Sequence, residues 1–430
     1  MTLARRQFLS SAALAAAGGA AIAGLSGWPD RPASASAATV LPSPEASGID
    51  HIVVVMMENR SFDHLLGWLP GADGKQAGLS FVDRYGIPHT TFHQSQYASC
   101  GFADPDHSYE GGRIELNNGR CDGWLKAGSN DSLAISYFTD PDLAFLGQAA
   151  KAWTACDRYF SATMAETYPN RFYQHAAQTD RLHNSTTIST LPTIWDSVAA
   201  AGLSGRYYFS DVPFTALWGT KYLGISRPFA EFLQDAAAGQ LPQVSFIDPR
   251  FEDEQSGTSD DDHPHADIRA GEAFLNQVYE AVTSGPNWPN TLLVINFDEW
   301  GGFYDHVAPT TAPDASAQTA LRGFRVPALV ISPRARRGAV DHTVYDHTSV
   351  LRAIEWRWNL PALTPRDAAA ANIVRALDFT TGPQPSAPKF TVPQVVAAAC
   401  PSDTLPSGAE DGEWSDLKAL AVTLGWSLPA

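Results

Sequence analysis

The sequence predicts an α/β fold, a three-layer α/β/α sandwich built on a mainly parallel central sheet. Three observations carry that expectation: continuous apolar runs, amphipathic stretches between them, and polar pairs placed directly behind two of the runs. The run His51 to Met57 is unbroken and mostly β-branched, the composition of a strand covered on both faces of a sheet. Gln243 to Ile247, Thr291 to Phe297 and Val326 to Ile331 read the same way. Ala149 to Tyr159, Thr193 to Ala201, Phe229 to Ala238, Ile268 to Thr283 and Ser349 to Trp358 repeat apolar residues at spacings of three and four, which predicts helices. Strands and helices in alternation argue for a parallel sheet with helices on both faces.

Residues 1–38 read as an export signal. Arg5-Arg6-Gln7-Phe8-Leu9 precedes an Ala-rich, weakly apolar run, and Ala33-Ser34-Ala35 and Ser36-Ala37-Ala38 are cleavage candidates. The pattern resembles a twin-arginine signal, with an ordinary secretory signal as the alternative, and the expected location is extracellular, periplasmic or in the cell envelope. A Pro/Ser/Ala linker covers 39–48, and the main domain 49–380 is interrupted at 78–143 by a polar, Gly-rich and aromatic insertion. Residues 381–430 form a Pro-rich extension with a short helix from Glu413 to Leu424.

Of the 430 residues, 44% are hydrophobic and 17% charged, the balance of a globular protein. The formal net charge of −17 disfavours nucleic acid and strongly anionic membranes as partners. No segment of the mature chain is long and apolar enough to span a bilayer. Four cysteines in an exported chain permit disulfides. Cys100 and Cys121 bracket a short loop-rich segment and form the expected pair; Cys156 with Cys400 is a second bridge, and buried free thiols are the alternative.

In open α/β sheets, ligands gather outside the carboxyl ends of the strands. Glu58-Asn59 directly follows the first buried run, and Asp298-Glu299 follows the run ending at Phe297. Two strand ends that each deliver a pair of oxygens suit one hard divalent cation, Ca²⁺, Mg²⁺ or Mn²⁺. Taken singly, Asn59 is equally a helix cap and Asp298 a solvated loop acid. Histidines cluster as Asp260-Asp261-Asp262-His263-Pro264-His265, and His306 lies past Gly301-Gly302, a pair that lets backbone approach a ligand closely. Such histidines can contact a phosphoryl group or protonate a leaving oxygen.

The motifs carry a resemblance. Asp50-His51-Ile52-Val53-Val54-Val55-Met56-Met57-Glu58-Asn59-Arg60-Ser61-Phe62-Asp63-His64 resembles the opening signature of the bacterial phospholipase C and acid phosphatase family, within the alkaline phosphatase-like superfamily. The likeness recurs in order at Asp106-His107-Ser108, Thr167-Tyr168-Pro169-Asn170-Arg171, Asp261-Asp262-His263-Pro264, Phe297 to Val307, and Tyr345-Asp346-His347-Thr348-Ser349. It implies an alkaline phosphatase-like catalytic domain and a metal-dependent phosphoesterase. Thr167 occupies the place of the hydroxyl nucleophile, and Glu58, Asn59, Asp298 and Glu299, with Thr167, that of the metal ligands. His107, His263 and His306 take the place of histidines that contact phosphate or the leaving group. Metal coordination would lower the threonine pKa, and a helix from Asn170 to Ala177 would offer amides to the phosphate.

Two positions depart from the family pattern. Glu166 precedes Thr167 where Gly-Pro is common; a carboxylate there repels a phosphoryl group unless turned away, so the local loop is expected to differ. Trp300 follows the acidic pair where histidine or asparagine is common, and is expected to line an apolar or choline-accepting wall. The expected function is a phospholipase C that hydrolyses the glycerol-side phosphodiester through a phosphothreonine intermediate, in peripheral contact with zwitterionic membrane. An acid phosphatase acting on small phosphomonoesters is the alternative, and a non-catalytic secreted binding protein is a third reading from another class.

Overall fold

The computed structural model describes residues 41–401, 404 and 412–429, so the export-signal reading lies outside the described residues. An eight-stranded sheet forms the centre. Its order is Ala339–Asp341, Thr154–Cys156, Ala328–Ile331, Thr291–Phe297, His51–Met57, Val244–Asp248, Gly205–Phe209, Ser226–Pro228. Every neighbouring pair is parallel except the two made by Ala328–Ile331, which runs against both its neighbours. The connection 298–327 leaves and re-enters the sheet at the same end, so that one strand is reversed and the sheet is mainly parallel.

His51–Met57 sits at the middle, and all but its first residue are buried. The β-branched run explains this position: a central strand has no solvent face on which polar residues would be stable. Phe229–Ala238 is a helix with the expected bounds, and Ile268–Ser284, Ile194–Ala200 and His347–Trp358 fall within two residues of theirs. The exception is Ala149 to Tyr159. There the helix Leu146–Ala152 stops, and Thr154–Cys156 enters the sheet. Trp153, fully buried, marks the change: its neighbours Thr154 and Cys156 are better suited to a pleated, covered strand than to a helix.

The insertion holds a hairpin of Ser80–Val82 with Pro88–Thr90, then the helix Tyr109–Leu116. A separate small core of Phe81, Trp124, Met164, Trp300, Tyr304 and Phe324 fastens it to the main domain. Trp300 is fully buried there, and its indole N–H donates to Glu115 Oε2 at 2.7 Å. It therefore lines no ligand wall. The Gly-rich signal of the insertion is also explained, since a Cβ at Gly112 would lie within 2.9 Å of the Trp300 ring and Met164.

The disulfide joins Cys100 to Cys400, while Cys121 and Cys156 are buried free thiols. Neither expected pair forms. Cys121 belongs to the small core and Cys156 to the sheet, whereas the Cys400 amide donates to Ser256 O at 2.6 Å and the bridge to Cys100 ties the extension to the insertion. Short sequence spacing misled here because tertiary contacts set the partner. The extension ends in the helix Gly412–Thr423, whose Trp414 stacks on Phe251 at 3.8 Å between ring centroids.

Candidate active site

Strand register builds the site. His51–Met57 and Thr291–Phe297 pair in parallel with Met57 opposite Phe297, so the residues that follow both strands emerge side by side. The Asp298 amide donates to Met57 O at 3.0 Å, the Asn59 amide to Asp298 Oδ1 at 3.0 Å, and the Arg60 amide to Glu299 O at 3.0 Å. Asn59 takes φ 51°, a left-handed turn that asparagine tolerates. Gly301, φ 62°, is required beside it, because a Cβ there would lie 2.1 Å from Asn59 O. Gly302 likewise meets Pro105, so the glycine pair brings backbone against backbone and leads the insertion up to the strand ends.

Thr167 opens the helix Thr167–Ala176, with Pro169 tolerated in its first turn. Its Oγ lies 3.3 Å from Glu58 Oε2 and 3.4 Å from Asn59 Oδ1. Asn59 Oδ1 is in turn 2.8 Å from Glu58 Oε2 and 2.7 Å from Glu299 Oε1, contacts that become N–H donations if the amide is turned over. With the oxygen facing inward, oxygens from four side chains converge. An amide oxygen packed against two carboxylate oxygens is repulsive, and either turning the amide over or placing a cation among them relieves it.

The charge balance agrees. Glu58, Asp298 and Asp248, which ends its own strand, all bond to one guanidinium, that of Arg171. Arg171 lies one helical turn after Thr167, on the same face. With Glu299, four buried carboxyls share one buried cation. Burial pushes Glu58 and Glu299 well above the ordinary carboxylate range; Asp298 adds to both, while Arg171 opposes the shift at Glu58 and His107 opposes it at Glu299. Burial also raises Asp248, against Arg171. The surplus of negative charge in an all-oxygen nest fits a hard divalent cation.

Two histidines stand beside the nest. His107, from the insertion, has Nδ1 2.8 Å from Pro105 O, and a carbonyl only accepts, so Nδ1 carries a proton. Its Nε2 then faces the Asn59 amide group at 3.5 Å. His263 holds Asp104 with Nε2 at 3.3 Å, and its buried Nδ1 has no hydrogen-bond partner among the described residues. Burial lowers His263, with Asp104 opposing, while His263, His107 and His265 hold Asp104 below its ordinary range against its own burial. Glu166 turns away from Thr167: it binds His183 Nδ1 at 2.8 Å and the Asn184 amide at 2.5 Å. Of the first helical amides, that of Tyr168 is held by Asn184, Pro169 has none and that of Asn170 returns to Glu166 O. The helix start therefore offers less to a phosphate than expected.

The profile of the phosphoesterase family matches residues 49–361, which span every residue of this nest. The chain belongs to the phosphoesterase family. It is similar to non-specific phospholipase C6 of Arabidopsis thaliana, 31% identical over 397 residues covering 81% of this chain and 76% of the relative. Phospholipase C B of Mycobacterium tuberculosis is 30% identical over 477 residues, covering 91% and 89%. Among solved structures, a protein of the alkaline phosphatase superfamily from Vibrio parahaemolyticus overlays at TM-score 0.38 with 10% identity, covering 77% of this chain and 71% of that one. The chain is thus a hydrolase of phosphoester bonds on an α/β fold.

His306 joins a different group in this phosphoesterase. Its Nδ1 lies 2.5 Å from Asp63 Oδ2 and its Nε2 3.1 Å from Asp73 Oδ1. Asp63, Asp305 and His306 are close enough together for a metal. However, Arg325 already bonds both carboxylates, and both imidazole nitrogens face carboxylates, leaving no ring lone pair for an ion. The group is a buttress under the loop that carries Glu299. Burial alone would lower His306, but its bonds to Asp63 and Asp73 lift it to about 9. A pKa raised in the folded state contributes stability that is complete below about 6.5 and lost as pH rises through about 9. Relative to His306→Gln, the parent is expected to lose on the order of 2 kcal/mol between pH 6 and pH 10. Urea unfolding across that range checks this; parallel pH profiles for the two proteins would contradict it.

Sequence reading missed the roles of Arg171, Asp248 and Asp104. Arg171 stood inside a recognised block, and an arginine one turn after Thr167 could have been noted. Asp248, the last residue of a buried strand, was equally visible. Asp104 carries no local signal, because only the folded insertion brings it to His263.

Proposed function

We propose that this phosphoesterase is an exported phospholipase C that cleaves the glycerol-side phosphodiester of phospholipids through a phosphothreonine intermediate. The observation that carries the reading is Thr167 Oγ within 3.4 Å of two oxygens of the buried nest. Glu58, Asn59, Asp298, Glu299 and Thr167 would hold one divalent cation, Ca²⁺, Mg²⁺ or Mn²⁺. Bound there, it would supply Lewis-acid neutralisation of phosphoryl charge and a lowered pKa for the threonine hydroxyl.

Thr167 Oγ bonds to phosphorus as the bond to the glycerol oxygen breaks. The threonine proton leaves to water, and protonated His107 gives its Nε2 proton to the departing oxygen, forming diacylglycerol. Water then attacks the phosphothreonine, restoring Thr167 and releasing the phosphorylated head group. His263, oriented by Asp104, contacts the phosphoryl group. Each acid–base group accounts for a factor of about 10²–10⁴. Arg171 holds Glu58 and Asp298 in place, and Glu166, tied to His183, leaves the phosphoryl path clear. The relatives named phospholipase C support a lipid diester as substrate, and the disulfide suits an oxidising compartment outside the cytosol.

The reading is tested by hydrolysis of p-nitrophenyl phosphorylcholine beside p-nitrophenyl phosphate with each cation. A preference for the diester is expected, and a preference for the monoester would replace the assignment with an acid phosphatase using the same residues. Dialysis against a strong chelator is expected to remove essentially all turnover, restored by one of the three cations. Full activity in protein that elemental analysis finds metal-free would refute the metal centre.

A further inference from the structure

The hairpin in the insertion exposes apolar side chains on a rigid support. Tyr85 is 82% exposed, Ile87 54% and Val82 40%. The turn that carries them is held firmly. Asp83 Oδ1 accepts from the Tyr85 amide at 2.8 Å and the Ile87 amide at 2.9 Å, and Asp83 Oδ2 pairs with His89 at 2.9 Å. Gly86 supplies the left-handed residue, φ 84°. A turn fixed in this way loses little freedom when its apolar side chains are covered.

The base of the hairpin reaches the catalytic loops. Phe81 packs on Tyr304 at 5.8 Å between ring centroids, inside the small core shared with Met164 and Trp300. Met164 lies three residues before Thr167, and Trp300 directly follows Glu299. Arg84 donates to Gly128 O at 2.7 Å, and a Cβ on Gly128 would lie 2.7 Å from Asp106 Oδ2, the neighbour of His107. The exposed tip and the His107 side of the site are therefore parts of one packed unit.

We infer that this tip, Val82, Tyr85 and Ile87, is the surface by which the enzyme seats on zwitterionic phospholipid. The inference rests on the phospholipase reading and deepens it. Charge selects the occupant. Asp83, Arg84 and His89 leave the tip nearly neutral on a chain of net charge −17, so an anionic leaflet repels the body while choline and phosphate heads match the tip. Tyrosine is the side chain suited to the boundary between head groups and acyl chains, and isoleucine to the acyl side.

The test uses the full chain and the double variant Tyr85→Ser, Ile87→Ser, with co-sedimentation on dioleoylphosphatidylcholine and dioleoylphosphatidylglycerol vesicles. Hydrolysis of phosphatidylcholine vesicles and of p-nitrophenyl phosphorylcholine is measured in parallel. The parent is expected to sediment with phosphatidylcholine vesicles. The variant should lose that binding and hydrolyse them roughly tenfold or more slowly, with the soluble diester cleaved at an unchanged rate. Unchanged vesicle binding in the variant overturns the inference. So does preference for phosphatidylglycerol, binding to neither vesicle, or a change of oligomeric state that marks the tip as a contact between copies. If the parent binds phosphatidylcholine through the tip but cleaves no diester, the docking surface stands and the phospholipase reading fails.

Discussion

Thr167→Ala is expected to lower turnover by on the order of 10⁴-fold or more while leaving the fold intact. The magnitude follows from the role: no other hydroxyl or thiol among the described residues makes a hydrogen bond to Glu58 or Asn59. The fold is expected to survive because the threonine side chain packs at a helix start whose neighbouring amides are held by Asn184 and Glu166 O. Steady-state hydrolysis of the preferred ester, with circular dichroism as the folding control, measures both. Mass spectrometry of acid-quenched parent enzyme should show one added phosphoryl group on the peptide holding Thr167, absent from the variant. Turnover in Thr167→Ala within about tenfold of the parent would remove the threonine from the chemistry.

Arg171→Met has the largest expected effect on stability. The guanidinium is fully buried and bonds Glu58, Asp248 and Asp298 at 2.7 to 3.2 Å. Its own burial would favour losing the proton, yet the three carboxylates hold it firmly charged. Methionine fills similar volume and leaves those acids unpaired, at a cost of about 3–5 kcal/mol. Arg171→Lys is expected to recover only part of this, since one ammonium cannot span three acids as a planar fork does. Urea unfolding measures both variants. Added cation should narrow the deficit, because it binds the same Glu58 and Asp298; a variant as stable as the parent would show that the acids are protonated.

The sheet was legible from sequence because its central strands are buried on both faces, which leaves unbroken apolar runs such as Val53-Val54-Val55. The strand ends were legible for the same reason: Glu58 and Asp298 are the first charges after such runs. The helix of Thr167 was read three residues late, because Pro169 suggests a turn although a helix admits proline in its first turn. The phosphate-contact reading of His306 drew on the nearby Asp298-Glu299 pair and on family position. The structure gives both its ring nitrogens to Asp63 and Asp73, residues more than two hundred positions earlier. Trp300 read as a wall because indole suits a cationic head group, but Glu115 supplies the buried acceptor that indole needs within a core. The disulfide was missed for a related reason: no local pattern reports that the segment holding Cys400, bonded to Ser256, passes beside Cys100.

The bridge between Cys100 and Cys400 spans a sequence separation of 300 and closes most of the chain into a covalent ring with two tails. The strand His51–Met57 belongs to the leading tail, yet it lies between two strands of the ring. Stretched from its ends, the oxidised molecule can lengthen only through its tails. Glu58 and Asn59 would be drawn out with the leading one, while Thr167, Asp298 and Glu299 stay within the ring. Tension would thus divide the oxygen nest in two and extinguish its chemistry while most of the chain remained unextended. Only after reduction could the remainder unravel.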